Sequence, residues 1–162
     1  MVRTCLIIPS LSSGGIETYV LRSPHVQAPT EQITIIVRSI QKGELYNDYK
    51  KTGVNIIFMP LGYANLKRAL NYYRFFRKMQ FDVVCDFNAN FAGLSLLLAN
   101  LAGVNKRIAF YRQGSNHFKP SVIKNLINNI HNKLVYKYAT HILANSQAAI
   151  EFFFPYRKEN DS

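Results

Sequence analysis

Short apolar runs alternate with longer stretches of helical period along this chain. Six runs have the length and the aliphatic or β-branched content of buried strands: Val2–Pro9, Gln32–Val37, Val54–Met59, Asp82–Cys85, Lys106–Phe110 and Thr140–Ala144. The stretches between them read as helices. Ala64–Met79 is the clearest, with Leu66, Ala69, Leu70, Tyr73 and Phe76 on one apolar arc and Lys67, Asn71, Arg74 and Lys78 on a polar stripe. Phe91–Ala102 is nearly all apolar and stops at Gly103, the pattern of a buried helix. Ser121–Tyr138 carries Ile123, Ile127, Ile130, Leu134 and Tyr138 at the helical period, and Pro120 suits its first turn.

The remaining helices are weaker. Glu17–Leu21 is short and ends near Pro24, and Pro29 follows, so the first helix is expected to be short or broken. Glu44–Lys51 is stopped by Gly53. Ser146 is a natural N-cap for a last helix over Gln147–Phe153. No repeat or low-complexity segment interrupts the alternation. Residues 155–162 are polar and read as a tail or the start of a linker, which leaves 1–154 as one domain.

Strand and helix in strict alternation predict an α/β class: a doubly wound, Rossmann-like domain with a mainly parallel sheet of six strands and helices on both faces. Right-handed crossovers then place every strand-to-helix loop at one edge. Those loops are Ser10–Ile16, Ser39–Gly43, Pro60–Tyr63, Asp86–Asn90, Tyr111–Lys119 and Asn145–Ser146, and a ligand site is expected among them.

Composition narrows the setting. With 162 residues, 48% of them hydrophobic, the chain is long enough for one packed core. It has no apolar run of about 18 residues, the span of a membrane helix. Its start runs directly into a strand and lacks a signal-peptide pattern. Cys5 and Cys85 both lie in strand-like runs without metal spacing, so buried, reduced thiols and a cytoplasmic setting are expected. Net charge is +11 and the sequence pI about 9.8. From Lys67 to Lys137 there are twelve Lys or Arg against two acids, a local balance of +10. Such a field favours phosphate-bearing partners: nucleic acid, anionic lipid or a phosphorylated small molecule.

The opening strand leads into Ser10-Leu11-Ser12-Ser13-Gly14-Gly15-Ile16-Glu17. Gly14 and Gly15 let a ligand approach the main chain, and the free N–H groups of the following helix favour an anion. Glu17 complements the same helix dipole, with a ligand role as the alternative. The dinucleotide fingerprint and the Walker lysine are absent. Arg112 stands at the fifth loop, where its fork suits a phosphate or carboxylate, or a surface ion pair. In the same loop Asn116 and His117 are candidate substrate ligands, although a lone loop histidine is more often a bystander. Asn88 and Asn90 suit sugar hydroxyls or the cap of the following helix. Asp82 and Asp86 make no acid–base pair, and acids are too scarce for a two-carboxylate glycosidase. Basic residues beside Tyr72, Tyr73, Phe75 and Phe76 suit either an anionic membrane at Ala64–Met79 or an ordinary packed helix.

Three segments together carry a family resemblance. They are Ile8–Glu17, then Phe81–Cys85 with Phe91-Ala92-Gly93-Leu94, then Ala139–Ser146. In this order they resemble the N-terminal half of retaining glycosyltransferases of GT-B architecture, of the family 4 or group 1 type, which includes many bacterial polysaccharide, lipopolysaccharide and lipid glycosyltransferases. The resemblance implies an acceptor-side domain of a longer enzyme. The nucleotide-sugar would be held by a C-terminal half that carries a spaced pair of glutamates and is not in this sequence. It also implies a sugar or lipid-linked acceptor, a glycine loop facing the donor diphosphate, no resident cofactor or metal, and no specific nucleic acid. Many members place a histidine after the fourth and fifth strands; here Cys85 stands at the first place and Phe110 or Arg112 at the second, so no catalytic residue is assigned. The alternative class is a non-catalytic basic α/β module for phosphorylated ligands or nucleic acid. A response-regulator-like domain lacks its acids, since Pro9-Ser10 follows the first strand.

Overall fold

The computed structural model describes residues 1–27, 32–62, 65–112 and 122–146, with backbone alone at residue 90 and residues 122–127. Its strands are the apolar runs: β1 (Arg3–Ile8), β2 (Gln32–Val37), β3 (Asn55–Phe58), β4 (Val83–Asp86), β5 (Lys106–Tyr111) and β6 (His141–Ala144). All pairings are parallel, in the order β3-β2-β1-β4-β5-β6. The chain builds outward from β1 to β3, then returns to the other side of β1. The order therefore reverses between β1 and β4, and in open α/β sheets such a reversal marks the crevice at the carboxyl ends of the strands.

The helices are α1 (Gly15–Arg22), α2 (Pro24–Gln27), α3 (Tyr46–Lys51), α4 (Leu66–Met79), α5 (Ala92–Leu101) and α6 (Val122–Tyr138). The first helix is broken at Pro24, as expected, and Pro29 lies outside the described residues. The Ser23 N–H and hydroxyl both donate to the Val20 carbonyl, at 3.1 and 2.8 Å, and Pro24 begins a separate turn. Asn65 caps α4 by accepting the Arg68 N–H at 3.0 Å, and Gln80 closes it in the left-handed region at φ 51.

Alternation along the strands splits the core into two layers. On one face Cys5, Ile7, Val84, Ala109 and Tyr111 pack under α4, α5 and α6. On the other, Ile8, Ile33, Ile35, Val37 and Cys85 pack against residues of α1, α2 and α3. The register places Cys5 beside Val84 and Leu6 beside Cys85, so the two free cysteines face opposite layers. The expected doubly wound α/β fold is present. The last expected helix, 147–153, lies outside the described residues.

Candidate functional site

The glycine loop leaves β1 at the crevice. The Ser10 hydroxyl donates to Glu17 Oε1 at 2.9 Å and accepts the Ser12 N–H at 3.2 Å. Glu17 is the third residue of α1 and is only 7% exposed. Its carboxylate folds back over the loop, so that a Cβ on Gly14 would lie 2.3 Å from Glu17 Oε2. A Cβ on Gly15 would meet nothing within 4 Å, which leaves this residue open to a ligand. The loop after β2 braces it from below. Ser13 N–H donates to Glu44 at 3.0 Å, Leu45 N–H to the Leu11 carbonyl at 2.9 Å, and the Tyr49 hydroxyl to the Glu17 carbonyl at 2.7 Å. Gly43 lies against the Leu11 backbone, where a Cβ would come within 2.2 Å of the carbonyl.

A second group lies at the same strand ends, beside α5. Arg38 follows β2 and reaches past β1 to Asp86 at the end of β4, with Nη2 2.7 Å from Oδ2. Both Nη atoms also donate to the Phe91 carbonyl at 3.0 Å, and Nη2 to the Ser95 hydroxyl at 3.2 Å. Ser95 in turn bonds Asp86 Oδ2. The other carboxylate oxygen accepts the Asn88 N–H at 2.9 Å and its side-chain amide at 2.7 Å. Asn88 Nδ2 lies 3.3 Å from the Ile7 carbonyl as well. Asp86 is fully buried, and Arg38 nearly so. The group ties the ends of β1, β2 and β4 to the start of α5.

Asn88 therefore does not cap α5. That helix begins at Ala92, and its N-cap, Phe91, makes no side-chain cap bond. Asp86 drew the amide away because a buried carboxylate needs more donors than Arg38 alone supplies. Arg38 escaped the sequence reading. Its signal was a lone arginine directly after a strand whose last three residues are aliphatic.

The third part is aromatic. The Arg112 guanidinium lies 4.1 Å over the Tyr19 ring, a cation–π contact. Tyr19 stacks on Phe110 at 5.8 Å, and Phe110 meets Phe87 at 5.2 Å. Beneath them an apolar cavity of about 340 Å³ runs along the sheet face between Leu6, Cys85, Ile108, Phe110 and Leu143. Burial, then the Asp86 charge, pushes the Cys85 thiol up to about 12, which leaves it no nucleophile near neutrality.

Gly14 on the loop after β1, Gly15 and Glu17 in the first turn of α1, Asn88 after β4 and Arg112 after β5 thus stand at one edge of the sheet. Asn116 and His117 lie outside the described residues. Among the described residues no group of three His, Cys, Asp or Glu is placed to hold a metal ion.

His131 of α6 is 6% exposed and meets the Phe91 ring edge-on at 6.2 Å. Burial first, then the Arg38 charge, holds its imidazole below the usual histidine value of 6.5. The unfolded chain protonates more readily than the fold, so stability falls as pH drops below that value. Urea unfolding between about pH 7 and pH 5 should show a steeper loss for the natural chain than for His131→Gln. Equal losses in the two proteins would contradict this account.

No family model and no curated protein matches the sequence. Solved structures do share the architecture. MurG of Acinetobacter baumannii matches 89% of this chain with a TM-score of 0.62 at 13% identity. HepE of Anabaena, solved in complex with UDP, matches 96% with a TM-score of 0.67 at 14% identity. Its complex with UDP-glucose gives 0.68 over the same share. This chain shares the α/β fold of those structures. At such identity the likeness is one of fold, and the chain spans 40–41% of the length of these structures. Among the described residues no helix is long and apolar enough to cross a membrane.

Proposed function

We propose that this chain is the acceptor-binding, N-terminal domain of a retaining glycosyltransferase. The parent moves a sugar, of hexose type, from a nucleotide-sugar to a polysaccharide or lipid-linked acceptor. One observation supports the reading: the loops after β1, β4 and β5, which bear Gly14, Asn88 and Arg112, leave the same end of a parallel sheet whose fold is shared with MurG and HepE. HepE, with which the fold is shared, is solved with UDP and glucose.

The geometry supports the following roles. Gly15 offers open backbone beside the N-terminal N–H groups of α1, suited to the charge that builds on a departing diphosphate. Glu17 holds that loop through Ser10. Asn88, fixed by Asp86, shapes the neighbouring loop, and Arg112 presents a guanidinium already steadied by Tyr19. Asn116 and His117 complete the proposed acceptor contacts. Catalysis rests on holding acceptor and donor in line. The donor-binding half is needed for turnover, so the 162-residue chain alone is inactive. The domain works in the cytoplasm against the inner face of a membrane, which it meets through Ala64–Met79. It takes no resident cofactor and no specific nucleic acid.

Reading the parent gene past the codon for Ser162 is the first test. A frame that continues into a second α/β half with spaced glutamates supports the reading, and a stop codon sinks it. In the parent enzyme, Arg112→Ala should cut sugar transfer from the nucleotide donor by roughly 10- to 100-fold, the worth of one hydrogen bond to a charged group. An unchanged rate would remove Arg112 from the site.

A further inference from the structure

The apolar cavity beneath Tyr19 lies on the sheet face opposite α4, α5 and α6. Leu6, Cys85, Ile108, Phe110 and Leu143 form its floor, one or two from each of the parallel strands β1, β4, β5 and β6. Tyr19 and Val20 of α1 form its wall. Leu143 on the edge strand is 44% exposed and Tyr19 46%, so the space opens to solvent past these two side chains.

Arg112 stands at that wall, with its guanidinium 4.1 Å from the centre of the Tyr19 ring. Ion pairs among the described residues are Arg38–Asp86 and Lys51–Asp48, so no described carboxylate neutralises Arg112. Both faces of the Tyr19 ring are taken, one by Arg112 and the other by Phe110, and Phe110 in turn meets Phe87. Tyr19 thus offers no open face on which a sugar or a base could stack. Sugar hydroxyls on the apolar floor would lose water without gaining a hydrogen bond. What remains is aliphatic surface and ring edge beside one cation, the complement of a hydrocarbon chain with an anionic head.

We infer that this cavity takes the hydrocarbon chain of a phosphate-bearing amphiphile, with Arg112 on the phosphate. The inference rests on the lipid-linked acceptor proposed above, and it names where this chain holds the tail and the linking phosphate. A cavity of about 340 Å³ has room for roughly ten methylene groups, if each takes about the 30 Å³ of a water molecule. Each methylene that leaves water for this floor should tighten binding about fourfold, and the gain should stop once the cavity is full. Attraction to Arg112 alone gives no dependence on chain length. An open greasy surface gives a rise without a ceiling.

Calorimetric titration of the 162-residue chain with butyl, hexyl, octyl, decyl, dodecyl and tetradecyl phosphate, each below its micelle concentration, tests this. Affinity should climb from butyl to about decyl and then level off. Arg112→Gln should weaken octyl phosphate roughly 10- to 100-fold and leave 1-octanol unchanged. Leu143→Asn should weaken octyl phosphate more than butyl phosphate. Amide shifts on titration should gather at Cys85, Ile108 and Leu143 rather than at Tyr72 and Val135 under the other face. Geranyl phosphate against decyl phosphate, equal in carbon number, separates a prenyl from a straight-chain source, and the tighter of the two names it. Circular dichroism checks that each variant is folded. The inference is overturned by no binding, by affinity independent of chain length, or by a climb without a plateau. Binding that appears only in Phe152→Ser with Phe153→Ser also overturns it, because it gives the cavity to the chain's own residues. No donor and no sugar transfer enter the test. A stop codon after Ser162 with intact binding therefore sinks the glycosyltransferase reading alone, and absent binding in a proven transferase sinks this inference alone.

Discussion

Asp86→Ala lowers folding stability by about 3–5 kcal/mol, the range for removing one partner of a buried ion pair. The carboxylate is fully buried and meets four groups: the Arg38 guanidinium, the Ser95 hydroxyl, and the backbone and side-chain amides of Asn88. Without it, Arg38 keeps the Phe91 carbonyl, Ser95 and the Tyr72 hydroxyl, neutral groups all, and its charge stays in a nearly closed site. The second substitution decides the cause. Adding Arg38→Met to Asp86→Ala should recover part of the loss, because the stranded charge is gone. Urea unfolding of the two single variants and the double variant gives the coupling directly. A loss of less than about 1 kcal/mol for Asp86→Ala would mean the pair behaves like an exposed one.

The other large effect is expected at Gly43. Alanine there puts a methyl 2.2 Å from the Leu11 carbonyl carbon and oxygen and 2.3 Å from the Ser12 nitrogen. Those neighbours are backbone, so no side chain can rotate aside. Leu11 is fully buried, and its carbonyl is held by the Leu45 N–H. The loops after β1 and β2 must part, at about 2–3 kcal/mol, in the range of overpacked cores. Amide exchange over residues 12–15 should quicken along with the drop in urea midpoint. Stability and exchange equal to the natural chain's would show that the loops part freely.

Much of this fold was legible because its strands are short apolar runs with clear breaks. Gln32–Val37 has the same bounds in sequence and structure, since five buried residues follow a polar one and the run ends in a charge. The ends that moved did so for local reasons. Helix α1 starts at Gly15 rather than Glu17, because the Glu17 side chain turns back onto the loop and draws the glycines into the helix start. Strand β5 runs on to Tyr111, whose ring is buried on the same face as Ala109. The Arg38–Asp86 group was not legible, since only the strand order shows that β2 and β4 flank β1 and bring two strand-end charges together. Position at the carboxyl edge could be read for Gly14, Gly15, Asn88 and Arg112. The Tyr19 partner of Arg112 could not, because it comes from a helix far away in the chain.

Cys5 and Cys85 face away from each other on neighbouring strands. Cys5 lies sealed beneath the basic helix layer, and Cys85 lines the apolar cavity on the far side. The two thiols are thus native reporters, one for each half of the core. A reagent that labels Cys85 before Cys5 records the cavity breathing while the rest holds, and simultaneous labelling records the whole domain opening at once.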